Sequence, residues 1–96
     1  MAAYLIVYRE EPVRDAAEMA EYQRQTRTMN VAPKPTPVVV HGAVHGLEGQ
    51  APDAVIVLKF DSVEDAKAWY NSPGYQAAVP HRKKAAAHRV IIVEGL

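Results

Sequence analysis

The chain has 96 residues, with 11 Lys and Arg against 11 Asp and Glu, no cysteine, and a net charge of zero. That length is one domain, 1–96; the charge balance argues against a nucleic-acid partner, which calls for a basic excess or stripe. The lack of cysteine excludes disulfides, thiolate metal sites and thiol nucleophiles. No apolar run near the N-terminus is long enough for a secretion-signal core or a membrane span, so the expected address is cytoplasmic, with no membrane partner.

Ala3 to Tyr8 is aromatic and β-branched, which suits a strand. Asp15 opens a helix, with Glu18 three residues on to complete a capping box. Met19, Tyr22, Thr26 and Met29 recur at spacings of three and four and form its apolar stripe. The helix is expected to stop before Pro33, in a stiff segment that also holds Pro35 and Pro37. Val38 to Val44 reads as a second strand, bent or bulged at Gly42, followed by a turn region over Gly46 to Asp53. Ala54 to Phe60 is the clearest strand. Ser62 and Asp65 announce a second helix with Val63, Ala66, Trp69 and Tyr70 inward. Ser72 and Pro73 restart a short helix, which Pro80 is expected to interrupt. Val90 to Val93 is the last strand.

The order strand, helix, strand, strand, helix, strand is the split βαβ pattern. It predicts an α+β, ferredoxin-like βαββαβ domain with an antiparallel sheet and its helices on one face. In such a sheet the bare face is polar if it meets water. Here it is not. Leu5 and Val7 point one way, and Tyr4, Ile6 and Tyr8 the other. Val55 and Val57 have Ile56 and Leu58 opposite, and Val90 and Val93 have Ile91 and Ile92. An apolar patch of this kind predicts a homodimer packed sheet to sheet.

From Ala66 to Gly95 the run AKAWYNSPGYQAAVPHRKKAAAHRVIIVEG resembles the C-terminal signature of the domain of unknown function 1330 family: Trp-Tyr, Ser-Pro, a tyrosine, a later arginine and a closing Val-Glu-Gly. The start MAAYLIVY and the segment around Tyr22 resemble it too. The resemblance implies the dimeric α/β-barrel superfamily and a pocket between sheet and helices. It implies no particular reaction, since that superfamily includes cofactor-free monooxygenases, isomerases, haem-using enzymes and proteins without known chemistry. Two features depart from the family pattern. The second strand reads His41-Gly42-Ala43-Val44-His45, and the segment before it is rich in proline.

Histidine titrates near neutral pH and is the default acid or base. His41, among valines, is either a proton shuttle in the pocket or a hydrogen-bonded residue at the dimer seam. His45 lies near a turn. His81 and His88 are seven apart, roughly one helical face if the helix is unbroken. No set of three converging ligands is apparent, so no metal is expected. Tyr22 and Tyr75 either polarise a substrate carbonyl or tie helix to sheet. Trp69 is core or the apolar wall of a pocket. Arg82 matches the family arginine. It either clamps a carboxylate or enolate oxygen or makes a surface ion pair with Asp61 or Glu64.

These residues predict a small cofactor-independent enzyme carrying out proton transfer, of isomerase, cyclase or lyase type, on a small carbonyl-bearing or anionic organic molecule. His41 is the base, Arg82, Tyr22 and Tyr75 stabilise negative charge, and Trp69, His45 and His88 contact the ligand. The alternatives are a non-catalytic ligand-binding or structural dimer, and a monooxygenase-like oxidation.

Overall fold

A computed structural model describes all of residues 1–96. In chain order the elements are β1 (Ala3–Arg9), α1 (Ala16–Thr28), β2 (Thr36–Val40), β3 (Ala54–Phe60), α2 (Val63–Tyr70), α3 (Pro73–Ala85) and β4 (His88–Glu94). The strands form one antiparallel sheet in the order β2-β3-β1-β4. This is the ferredoxin-like α+β fold, with all three helices on one face.

Each helix starts where a side-chain oxygen meets the orphan amides of a first turn. Asp15 accepts from Glu18 N at 3.1 Å, Ser62 from Asp65 N at 3.1 Å, and Ser72 from Tyr75 N at 3.3 Å. The Ser72 hydroxyl also donates to Trp69 O at 2.7 Å, which fixes the corner between α2 and α3.

β1 is the central strand. Its inward residues Ala3, Leu5 and Val7 are buried and form a core with Phe60 and Ala66, flanked by Ile56, Leu58, Trp69, Val90 and Ile92. α2 lies on this part of the sheet, whereas α1 packs along α3 and stands away from β2 and β3. The opposite face presents Tyr4, Ile6 and Tyr8 of β1, Val55 and Val57 of β3, and Ile91 and Val93 of β4. Ile91 and Val93 are 40% and 45% exposed. The strands are therefore apolar on both faces, although Val90 and Val93, three residues apart, lie on opposite faces rather than sharing one.

Four local expectations are corrected. The second strand runs over Thr36–Val40, not Val38 to Val44. The strand is at the sheet edge, where prolines are tolerated because one side needs no ladder. Its irregularity falls between Pro37 and Val39, not at Gly42. His41 is consequently past the strand's end, exposed, with a left-handed φ of 56° that turns the chain away. Pro80 does not interrupt α3. Its exposed ring leaves the helix continuous to Ala85. The last strand begins at His88, so His81 and His88 do not share a helical face.

Candidate functional site

The space left between α1 and the sheet is a cavity of about 640 Å³. Its walls follow from strand parity. Leu5, Val7 and Arg9 of β1, Ala54, Ile56 and Leu58 of β3, and His88 of β4 all point to the helix side. Pro35, Pro37 and Val40 close the β2 edge, Met19, Tyr22 and Thr26 come from α1, and Trp69, Tyr75 and Arg82 from α2 and α3. A mostly apolar wall with few polar groups is the usual composition of a small-molecule site.

The wall has basic side chains but no carboxylate. Arg9, Arg27, Arg82, His41 and His88 line the cavity, and no aspartate or glutamate does, in a chain whose charges balance. Arg9 is neutralised by Asp53 at 2.8 Å, and Arg27 is exposed on the rim. Arg82 differs from both. It is 3% exposed, its Nε is buried without a hydrogen-bond partner, and it pairs with no carboxylate; the expected partners Asp61 and Glu64 do not reach it. A buried guanidinium left this way costs several kcal/mol unless something else supplies the counter-charge. A second cavity, of about 430 Å³, is lined by Tyr70, Lys83, Ala86, Ala87 and Val90 and shares Arg82 and His88, so these two side chains form the partition between the two spaces.

His88 Nδ1 lies 3.0 Å from Ala86 O. Since a carbonyl only accepts, that nitrogen carries the hydrogen, and Nε2 is left with its lone pair. Burial lowers the His88 pKa below its ordinary value of 6.5, against the opposing effect of the Ala86 bond. The imidazole is thus held neutral, with the basic nitrogen chosen by the backbone.

The Tyr22 and Tyr75 hydroxyls lie 2.9 Å apart. One donates to the other, so one O–H hydrogen of the pair stays available. Burial pushes the Tyr22 hydroxyl well above its ordinary range, which keeps it a donor. Tyr75 is 1% exposed and sits against Trp69, ring centroids 4.5 Å apart, and Trp69 in turn packs on Phe60. A second tie, between Glu18 and His81, joins α1 to α3.

The cavity thus brings together six of the seven residues expected from sequence: His41, Arg82, Tyr22, Tyr75, Trp69 and His88. His45 is not among them. It is exposed in the connection between β2 and β3. Arg9, Met19 and Pro37 were missed, although continuing the alternation of Leu5 and Val7 by one step leads to Arg9. No three His, Asp or Glu side chains converge as metal ligands, and no helix is long and apolar enough to cross a membrane.

The sequence profile of the family described as Domain of unknown function (DUF1330) matches residues 2–96, and the chain belongs to that family. A search of curated proteins finds no significant match. Among solved structures the chain is similar to an ethyl tert-butyl ether d (ethd) family protein from Bacillus halodurans C-125, with a TM-score of 0.64 and 17% identity over 100% of both chains. A dimeric protein of unknown function and ferredoxin-like fold from Bacteroides fragilis NCTC 9343 gives a TM-score of 0.55 and 13% identity, over 98% of this chain and 95% of that one. A protein from Chloroflexus aurantiacus J-10-fl, provisionally described as an antibiotic biosynthesis monooxygenase, gives 0.53 and 24%, over 99% and 95%. At these identities the likeness is one of fold.

Proposed function

We propose that this member of the DUF1330 family is an enzyme that binds a small organic anion in the cavity between α1 and the sheet and moves a proton on it. The observation that carries the reading is Arg82, a buried guanidinium without a partner on a wall that contains no carboxylate. A ligand carboxylate or enolate oxygen satisfies it with charge-assisted hydrogen bonds. Proton transfer is supported by His88, neutral and with Nε2 free, which is the state a general base needs. His88 takes a proton from a carbon next to a carbonyl, and the electron pair moves onto the carbonyl oxygen. Arg82 and the free O–H of the Tyr22–Tyr75 pair stabilise that oxygen. Return of the proton to a different carbon completes an isomerisation. No external oxidant is needed. His41, at the rim, is the second candidate for proton exchange.

We infer also that two copies pair through the far face of the sheet. At its centre are Ile6, Val57 and Ile91, mutually aligned by register, and its polar residues lie at the margins: Lys59 opposite Tyr4, and Arg89 opposite Tyr8 with its guanidinium 4.6 Å from that ring. An apolar centre with a polar rim is the anatomy of a protein interface.

The test uses pyruvate and acetoacetate, titrated into the protein while exchange of their C–H hydrogens in D₂O is followed by NMR. Arg82→Gln is expected to weaken binding roughly tenfold to a hundredfold. His88→Gln is expected to keep binding and slow exchange. If exchange survives His88→Gln and disappears in His41→Ala, the base is His41. Equal affinity of wild type and Arg82→Gln for both acids overturns the anion reading. Binding by the wild type with no catalysed exchange leaves a non-catalytic binding protein.

A further inference from the structure

The cavity has a direction, and it can be read from register. At one end Arg9 stands opposite both Ala54 and His88, and His41 N donates to Val55 O at 3.2 Å one strand further on. The helices place Arg82 at the same end. α1 and α3 run antiparallel, since Glu18 meets His81 while Tyr22 meets Tyr75, so Arg82 lies toward the start of α1. That start is tied to the β4 end by Arg14 N donating to Ala85 O and Glu10 N donating to Ala87 O. Four residues back along β1, about 13 Å at the usual strand rise, the chemistry is different. Leu5, Leu58 and Pro37 form one row across three strands, and Trp69 is the aromatic group at that end. Within the cavity Arg9, Arg82, His41 and His88 gather at one end and Leu5, Leu58, Pro37 and Trp69 at the other, with Tyr75 beside Trp69 and the exposed Arg27 on the outer rim.

We propose that the substrate is an amphipathic organic acid lying lengthwise, its carboxylate or enolisable head between Arg82 and His88 and an aromatic or alkyl body running over Leu5, Leu58 and Pro37 toward Trp69. This rests on the anion-binding reading above and adds the substrate class and its orientation. A small hydrophilic acid fills only the polar end. An apolar body of the right length displaces water from the remaining wall, and each methylene it buries strengthens binding.

The test is a homologous series of carboxylates, benzoate, phenylpropanoate and phenylpentanoate, with phenylpropanol as the uncharged control. Binding is followed by the fluorescence of Trp69, the chain's single tryptophan. Affinity is expected to rise up to about fourfold per added methylene, and the fluorescence change is expected to grow along the series. Arg82→Gln is expected to weaken all three acids by a similar factor and to leave the affinity for phenylpropanol, which never engaged the guanidinium, unchanged. Leu58→Ala, read by the same fluorescence, and Trp69→Leu, read by titration calorimetry, each checked for folding by circular dichroism, are expected to flatten the dependence on length. If benzoate binds but affinity is flat along the series in the wild-type protein, the orientation fails while the anion reading stands. If no carboxylate binds, both fail. If Arg82→Gln weakens only the longest acid, the head lies at the other end and the proposal is overturned.

Discussion

On the helix side of the sheet Leu5, Val7, Ile56 and Leu58 are covered partly by α2 and partly border a cavity. On the far side Ile91 and Val93 lie open in the single chain, and Ile6 and Val57 are half-buried beside them. The two faces have similar apolar content. They differ in where the polar groups sit. On the helix side Arg82 and His88 are set inside the apolar wall, one without a partner and the other with its tautomer fixed. On the far side Lys59 and Arg89 stand at the margins, and Arg89 is already engaged by Glu10 at 2.8 Å and by the Tyr8 ring. Polar groups embedded in an apolar wall suit a small ligand of opposite charge. Polar groups around an apolar centre suit a large flat partner, and a second copy provides one.

The sharpest way to break this contrast is to put a charge in the centre of the far face. Ile91→Asp would bury two unpaired carboxylates per dimer, and the dissociation constant is expected to rise by roughly three powers of ten. Sedimentation velocity at micromolar concentration checks it; a stable dimer for the variant, or a monomer for the wild type, removes the pairing claim. On the other face the expected sign is reversed. Arg82→Met replaces an uncompensated buried charge by an apolar side chain of similar length. The ligand-free protein is therefore expected to gain about 1–3 kcal/mol of stability in urea unfolding, while losing affinity for carboxylates. A loss of stability would mean that Arg82 is satisfied within the fold and is not waiting for a ligand.

The smallest effect concerns His88. Its folded pKa is depressed by burial, so the unfolded chain takes up the proton first as pH falls. Stability is then fully present above the ordinary histidine value and declines as pH drops through it toward the lower folded value. In His88→Gln that part of the acid-side decline is expected to be missing when melting temperature is measured between pH 5 and pH 8 (about the histidine range). An identical profile in wild type and variant would remove His88 as the source of the decline.

The fold was largely legible because its main signals are local. Asp15, Ser62 and Ser72 announce helix starts through their own side chains, and β1 and β3 are runs of strand-forming residues. β2 was displaced because a strand with a single neighbour is placed by that neighbour: Thr36 and Pro37 pair with Lys59 and Leu58, and nothing in VVVHGAV reveals this. The start of β4 was hidden by the alanines at 85–87, which favour helix. His88 is expected from sequence as a ligand contact, but its candidacy as base was not legible, because only a strand beginning there aligns it with Val90 and Ile92 toward the cavity. Arg82 was marked by its place in the family pattern, but its lack of a partner is a property of three-dimensional packing that no spacing encodes.

The position of β1 at the middle of the sheet also governs how the domain comes together. Its register partner on one side is β3, but on the other it is β4, so that Ala3 pairs with Glu94 near the opposite end of the sequence. Closing so long a loop is slow compared with forming local contacts. Until β4 docks, β1 carries one unpaired edge of six apolar or aromatic residues, Ala3 to Tyr8, which is the kind of edge that recruits strands from other chains. The last strand is therefore the element whose loss or delay turns a folding problem into an aggregation problem.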